Sequence, residues 1–209
     1  GPTLSAGGAA TCTATTSGAT FCWGSNASGQ LGAGTNDVLT TPTVVAGGQA
    51  FVTVSVGTSH ACALTRNGAA YCWGANTSGQ LGNGQTTNSA SPVAVSGTQS
   101  YQAIAVGSGH SCGLTSAGAV LCWGANAAGQ LGTRTATNSS TPAAVPVAAG
   151  LTFRSIVAGG GHTCALTAAG AAHCWGSNPA GELGTGTAAN ANTPTAVVGG
   201  LAFKSLTAG

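Results

Sequence analysis

Three histidines, His60, His110 and His162, each stand two residues ahead of a cysteine, and each of those cysteines has a second one ten residues on. Imidazole and thiolate are the ligands zinc prefers. The pattern nevertheless argues against a metal. No C-x-x-C occurs, and the first copy carries Ala10 where the histidine should be. Opposed cysteines can also bond one another. The expected role of the imidazoles is a hydrogen bond to backbone in the adjacent turn, and no cofactor is expected. His173 stands where the other copies have Phe21, Tyr71 and Leu121, so it is expected in a packed position.

Other chemistry fares no better. The acidic residues Asp37 and Glu182 lie in different copies of the motif and are not themselves repeated, so they make no acid–base pair. They also supply too little negative oxygen for calcium. GQLGNG (79–84) has the glycines of a phosphate loop but neither its Lys-Ser/Thr nor a following helix. No serine sits in a nucleophile elbow. Trp23, Trp73, Trp123 and Trp175 offer faces on which a sugar could stack. Their fixed place directly after a cysteine makes them packing residues between repeats instead, with the indole N–H free to satisfy a carbonyl. No catalytic set remains.

Composition narrows the partners. Arg66, Arg134, Arg154 and Lys204 are scattered, and charged residues make up 3% of the 209, where about a quarter is usual. A nucleic-acid binder needs a basic stripe to displace phosphate counterions, so that class is excluded. The longest apolar runs are a handful of residues, too short to insert in a bilayer. With 43% apolar residues at regular spacing, the chain is not expected to be disordered.

The elements that carry these residues come from a repeat. The Trp-Gly steps recur at intervals of 50, 50 and 52 residues. One unit reads as four short β-segments: PTVVAG (42–47), AFVTVSVG (50–57), HACALT (60–65) and AAYCWG (69–74). Turn-forming Gly and Asn bound them, and a long polar loop follows. Four-stranded units at this period predict propeller blades: an all-β array of four blades of about four antiparallel strands. The expected repeats run 1–41, 42–91, 92–141 and 142–193. Residues 194–209 form a half-blade complementary to the N-terminus, since TLSAG (3–7) aligns with SLTAG (205–209). Joined within the chain, the halves would close a four-bladed ring; joined between chains, they would give a head-to-tail ring or filament; otherwise the chain is an arc of a longer array. It starts inside a repeat without a leader sequence, as a mature or excised piece would.

Cysteine spacing fits a hairpin. If 62–65 and 69–72 pair across a three-residue loop, Cys62 faces Cys72 on one side of the sheet. Gly68 then supplies the positive φ such a loop needs, as do Gly18, Gly118 and Gly170 in the other copies. One intra-blade disulfide per repeat follows: Cys12–Cys22, Cys62–Cys72, Cys112–Cys122 and Cys164–Cys174. Each closes a short loop worth on the order of 3 kcal/mol in the chain-entropy model. Four such bonds predict an oxidising location. Asn26, Asn76, Asn126 and Asn178 follow each Trp-Gly step and are expected to pin the turn, with GQL (GEL in the fourth copy) bracing neighbouring blades. N-x-S/T sequons make Asn26, Asn76 and Asn138 possible glycosylation positions, modified only in a host that glycosylates.

The string CALT-x-x-G-x-x-x-CWG-x-N-x-x-GQLG-x-G resembles the repeat of the regulator of chromosome condensation family, in its secreted bacterial, cysteine-paired branch. The likeness covers nearly the whole chain and recurs four times. It implies propeller architecture; the founding members have seven blades. The best-known member promotes nucleotide exchange on a small GTPase and binds chromatin. That activity rests on loops and charged surfaces this chain lacks, so only the architecture is carried over. The expectation is a non-enzymatic module, extracellular or at the surface of a bacterial cell, acting as a protein-interaction scaffold. Two alternatives stand beside it: a self-assembling subunit of a filament or ring, and a lectin-like glycan binder.

Overall fold

In a computed structural model of the chain, which describes residues 3–209, strands form wherever apolar and small residues alternate between Gly-rich turns. Gly1 and Pro2, which open the first expected repeat, lie outside the described residues. Among the described residues there is no helix, and so none able to cross a membrane. The first sheet comprises β1 (Thr3–Gly7), β2 (Ala10–Ala14), β3 (Thr20–Gly24) and β4 (Leu39–Val44). The second has β5 (Phe51–Val56), β6 (His60–Thr65), β7 (Ala70–Gly74) and β8 (Ser89–Ala94). The third has β9 (Tyr101–Val106), β10 (His110–Thr115), β11 (Val120–Gly124) and β12 (Ser139–Ala144). The fourth has β13 (Phe153–Ala158), β14 (His162–Thr167), β15 (Ala172–Gly176) and β16 (Ala191–Ala196). Each sheet is an antiparallel meander in chain order.

Four sheets of four strands are the expected blades, but their boundaries fall elsewhere. PTVVAG does not open the second blade; its first residues end β4, which pairs with β3 through Phe21↔Val44 and Cys22↔Thr43. The long loop thus carries the chain back to finish its own sheet before the next begins. The blades run 3–44, 51–94, 101–144 and 153–196 rather than 1–41, 42–91, 92–141 and 142–193. The first blade consequently has its own four strands, with β1 paired to β2 from Thr3↔Ala14 to Gly7↔Ala10. Residues 194–209 are not its missing half: Pro194 to Ala196 end β16, and residues 197–209 form no strand.

Burial shows how the blades stack. The second strand of a middle blade, such as HACALT of β6, is buried on both faces because a sheet lies on either side of it. The fourth strands carry Pro42, Pro92, Pro142 and Pro194 and stay half-exposed, as an edge that gives up a ladder hydrogen bond can. The principal packing runs between consecutive sheets: β1 and β2 against β5, β5 and β6 against β9, β9 and β10 against β13. Among the described residues, none of this principal packing joins the first sheet to the fourth. The first strands, with residues 206–209, face a common central cavity.

Candidate interaction surface

Each hairpin brings its cysteines face to face. Cys12↔Cys22, Cys62↔Cys72, Cys112↔Cys122 and Cys164↔Cys174 are directly opposed, with Cα atoms 4.0 to 4.1 Å apart, and all four pairs are bonded. The turn closes with Gly68 N donating to Thr65 O, Gly68 standing at φ 81°; Gly18, Gly118 and Gly170 repeat it at 79–89°.

From the end of each hairpin the chain enters the polar loop, and one asparagine shapes it. Asn126 Nδ2 donates to Thr135 O and Thr137 O, both at 3.0 Å, while its Oδ1 accepts from Leu131 N at 2.9 Å. Asn26 does the same to Thr35, Asp37 and Leu31, Asn76 to Gln85, Thr87 and Leu81, and Asn178 to Thr187, Ala189 and Leu183. All four side chains are fully buried. This corrects the glycosylation expectation at Asn26 and Asn76, whose amides have no room for a sugar and no free donor. Asn138 is exposed, its Oδ1 accepting from Asn126 N.

The clamp leaves exposed loops, near 34–38, 84–88, 134–138 and 186–190, at the same place in every blade and hence along one rim. The first three rest on the next blade's outer strand: Gly34 N donates to Ala90 O, Gly84 N to Ser140 O and Arg134 N to Asn192 O. Their side chains are chiefly Thr, Asn, Gln and Ala, so the rim is neutral and hydrogen-bonding. Two charges depart from it: Asp37 in the first loop, and Arg134, a cation at φ 67° where the other blades place Gly34, Gly84 and Gly186.

Trp73, Trp123 and Trp175 lie fully buried between blades; Trp23 is half-buried. The indole N–H of Trp73 donates to Gln30 O and that of Trp123 to Gln80 O, in the preceding blade. The GQL segment is therefore the brace. The large apolar side chains exposed among the described residues are Leu and Val, and Trp73, Trp123 and Trp175 are covered, which leaves the half-buried Trp23 as the tryptophan face that solvent reaches.

The histidines act differently from expectation. They bond not to a nearby turn but to a hydroxyl of the next blade: His60 Nε2 to Ser111 Oγ at 2.9 Å, and His110 Nε2 to Thr163 Oγ1 at 2.8 Å. Ser111 spends its own proton on Gln80 O and Thr163 on Gln130 O. The histidines must then be the donors, fixing the Nε2–H tautomer and leaving Nδ1 bare, buried and without a partner. Burial, reinforced by the neighbouring imidazole, pushes the His60 pKa down to about 3 and that of His110 to about 4. His162, at the end of the array, is lowered by burial, opposed by Glu182. Among the described residues no three His, Cys, Asp or Glu side chains converge as a metal site. His173 packs edge-on to Phe153 at 5.7 Å. The hydroxyl residues were missed, although a signal was present: blades with His are followed by blades with Ser or Thr immediately before the first cysteine.

Comparisons place this architecture. The regulator of chromosome condensation (RCC1) repeat matches residues 17–64, 67–114 and 117–166, and a second description of that repeat matches 51–80, 101–130 and 153–182. No curated protein sequence matches. Human WBSCR16 superposes with a TM-score of 0.90 at 24% identity, over 99% of this chain and 55% of that one. Yeast RCC1 (Prp20), solved with Kap60, gives 0.82 at 21%, over 95% and 48%. The ectodomain of the receptor kinase CR4 from Physcomitrella patens gives 0.64 at 28%, over 99% and 46%. The chain thus spans about half the length of each. Repeat matches over most of the sequence, on four disulfide-bonded meanders stacked in series, mean that the chain belongs to the regulator of chromosome condensation (RCC1) repeat family.

Proposed function

We propose that the chain is a non-catalytic protein-interaction module that works outside the cell, with the asparagine-clamped rim as its contact surface. The observation that carries the reading is the clamp itself. A loop already fixed by a buried amide gives up little conformational entropy when a partner lands on it. Thr, Asn and Gln side chains then supply adaptable hydrogen bonds without a charge to desolvate. Among relatives, yeast Prp20 was solved bound to Kap60, and its binding to Gsp1p and histones has been characterised. Four bonded cysteine pairs favour an oxidising location. The moss relative is likewise the ectodomain of a receptor kinase.

Two measurements test this. Protein isolated from its host and titrated under denaturing conditions should show no free thiol; eight reactive thiols would refute the location. Cross-linking to the host's surface proteins should capture a defined partner with the wild type. A variant carrying lysine at Thr87, Thr137 and Thr187 should lose it. Equal capture by both, or capture by neither, refutes the rim.

A further inference from the structure

The repeats depart from one another in three ways at the joint between the third and fourth blades. The linker between Val145 and Phe153 holds seven residues, where those between Val45 and Phe51 and between Val95 and Tyr101 hold five. Its Leu151 stands two places before the next blade, where the shorter linkers have Gln49 and Gln99. His173 takes the place of Phe21, Tyr71 and Leu121. Arg134 takes the place of a glycine and keeps its left-handed backbone, at φ 67°. A side chain there costs free energy that the glycine copies avoid, and strain of this kind gathers at binding sites.

All three departures line one cavity of about 560 Å³, within the range of small-ligand sites. Pro146, Val147 and Leu151 of the linker and Pro194 of β16 give it apolar walls, while Arg134 and His173 supply its ionisable groups. Arg134 N donates to Asn192 O at 2.9 Å, which pins the arginine backbone beside Thr193 and Pro194. The third and fourth blades both stand in place around the cavity. Its outer wall, β16, is half-exposed as the fourth strand of every blade is.

We propose that this cavity binds a carboxylate carried on a small apolar body, either a free acid or the chain end of a partner protein. The guanidinium of Arg154 is spent on Thr167 O and Lys204 O, both at 3.0 Å; that of Arg134 has no such partner among the described residues. No Asp or Glu lines the cavity to neutralise it. Its planar fork pairs with a carboxylate through two N–H donors. A phosphate or sulfate needs more donors than the walls hold, because the Thr195 hydroxyl gives its proton to Thr193 O at 3.1 Å. Burial lowers the His173 pKa and keeps the ring neutral, with Nδ1 enclosed and unpartnered, so the site carries one positive charge. The apolar walls then take the body of the acid out of water. This site does not rest on the rim reading, whose test replaces Thr87, Thr137 and Thr187; either can fail without the other.

Carbon–proton NMR spectra of the disulfide-intact chain, titrated with isocaproate, with N-acetyl-leucyl-leucine and with the amide of each, test this. Both acids should shift the His173 ring signals and the Val147 and Leu151 methyl signals at millimolar concentration. The amides lack the charge and should bind roughly tenfold or more weakly. Tighter binding of the peptide acid assigns the site to a chain end; otherwise a free acid is the ligand. Arg134→Gly restores the residue of the other blades and relieves the backbone, so it keeps the fold, and it should abolish the preference of acid over amide. Deleting Ala149 and Gly150 restores a five-residue linker and should weaken acids and amides alike. Acids that leave these signals unmoved, acids that bind no better than their amides, or an Arg134→Gly variant that binds the acids as the wild type does would each overturn the proposal.

Discussion

Replacing Asn126 by alanine tests whether one buried amide builds the rim. The substitution removes three short hydrogen bonds, each worth about 0.5–1.5 kcal/mol net, together with longer contacts to the Thr133 and Thr135 hydroxyls at 3.3 and 3.4 Å. They do not fail equally. The carbonyls of Thr135 and Thr137 belong to exposed residues and regain water, so together they cost about 1–2 kcal/mol. Leu131 N–H is buried and keeps no acceptor, at a further cost of about 1–3 kcal/mol. The total is about 3 kcal/mol, with residues 133–137 losing protection together. Asn126→Asp keeps the shape and the acceptor for Leu131 but points a carboxylate oxygen at two carbonyls. It should be at least as damaging as alanine. Asn138→Ala removes one bond, to Asn126 N, and should cost about 1 kcal/mol. Denaturant unfolding with intact disulfides gives the ranking, and hydrogen exchange shows where the loss falls. If Asn126→Ala costs under about 1 kcal/mol, or leaves 133–137 protected as in the wild type, the clamp does not shape the loop.

Acid offers another test. Buried neutral histidines bind a proton more readily when unfolded, so their contribution is complete above pH 6.5 and lost as pH falls. At about 1.4 kcal/mol per decade, His110 alone removes about 3 kcal/mol by pH 4. With Asp37 and Glu182 the only acidic side chains, the histidines should dominate acid lability; a stability curve flat between pH 6.5 and 4 would contradict their burial. Gly82→Ala, at φ 68° and against Trp123, should cost at least about 2 kcal/mol, while Gly48→Ala, at φ 69° in open space, should cost about 1. Equal losses in urea titrations would mean that the indole yields. Arg134→Gly should relieve the left-handed backbone and stabilise the third blade by about 0.5–1 kcal/mol in the same titrations; a destabilised variant would show that the arginine makes contacts worth more than that strain.

The hairpins were legible because everything that defines them is local: alternation, a fixed turn glycine and two cysteines within thirteen residues. The outer strand was not. PTVV looks the same whether it opens one sheet or closes another, and the choice depends on where a long loop returns. Its proline marked an edge without saying whose. The asparagine's place beside the Trp-Gly step was visible, but its targets lie nine and eleven residues on, in a segment with no periodicity. The histidine partners lie about fifty residues away, across a joint. Only a comparison of adjacent copies, with His followed by Ser or Thr and Ala by Ala, would have revealed them.

The bonded hairpins also govern how the molecule yields to pulling. Blades touching only their neighbours should unravel one at a time under tension. Each rupture would release a unit of roughly 50 residues less the ten-residue stretch its bridge holds back. The added length is about 140 Å, against about 175 Å once the bridges are reduced. Every unit would thus hold its innermost fold in reserve under load, keeping a seed from which the strands can wind back when the strain is released.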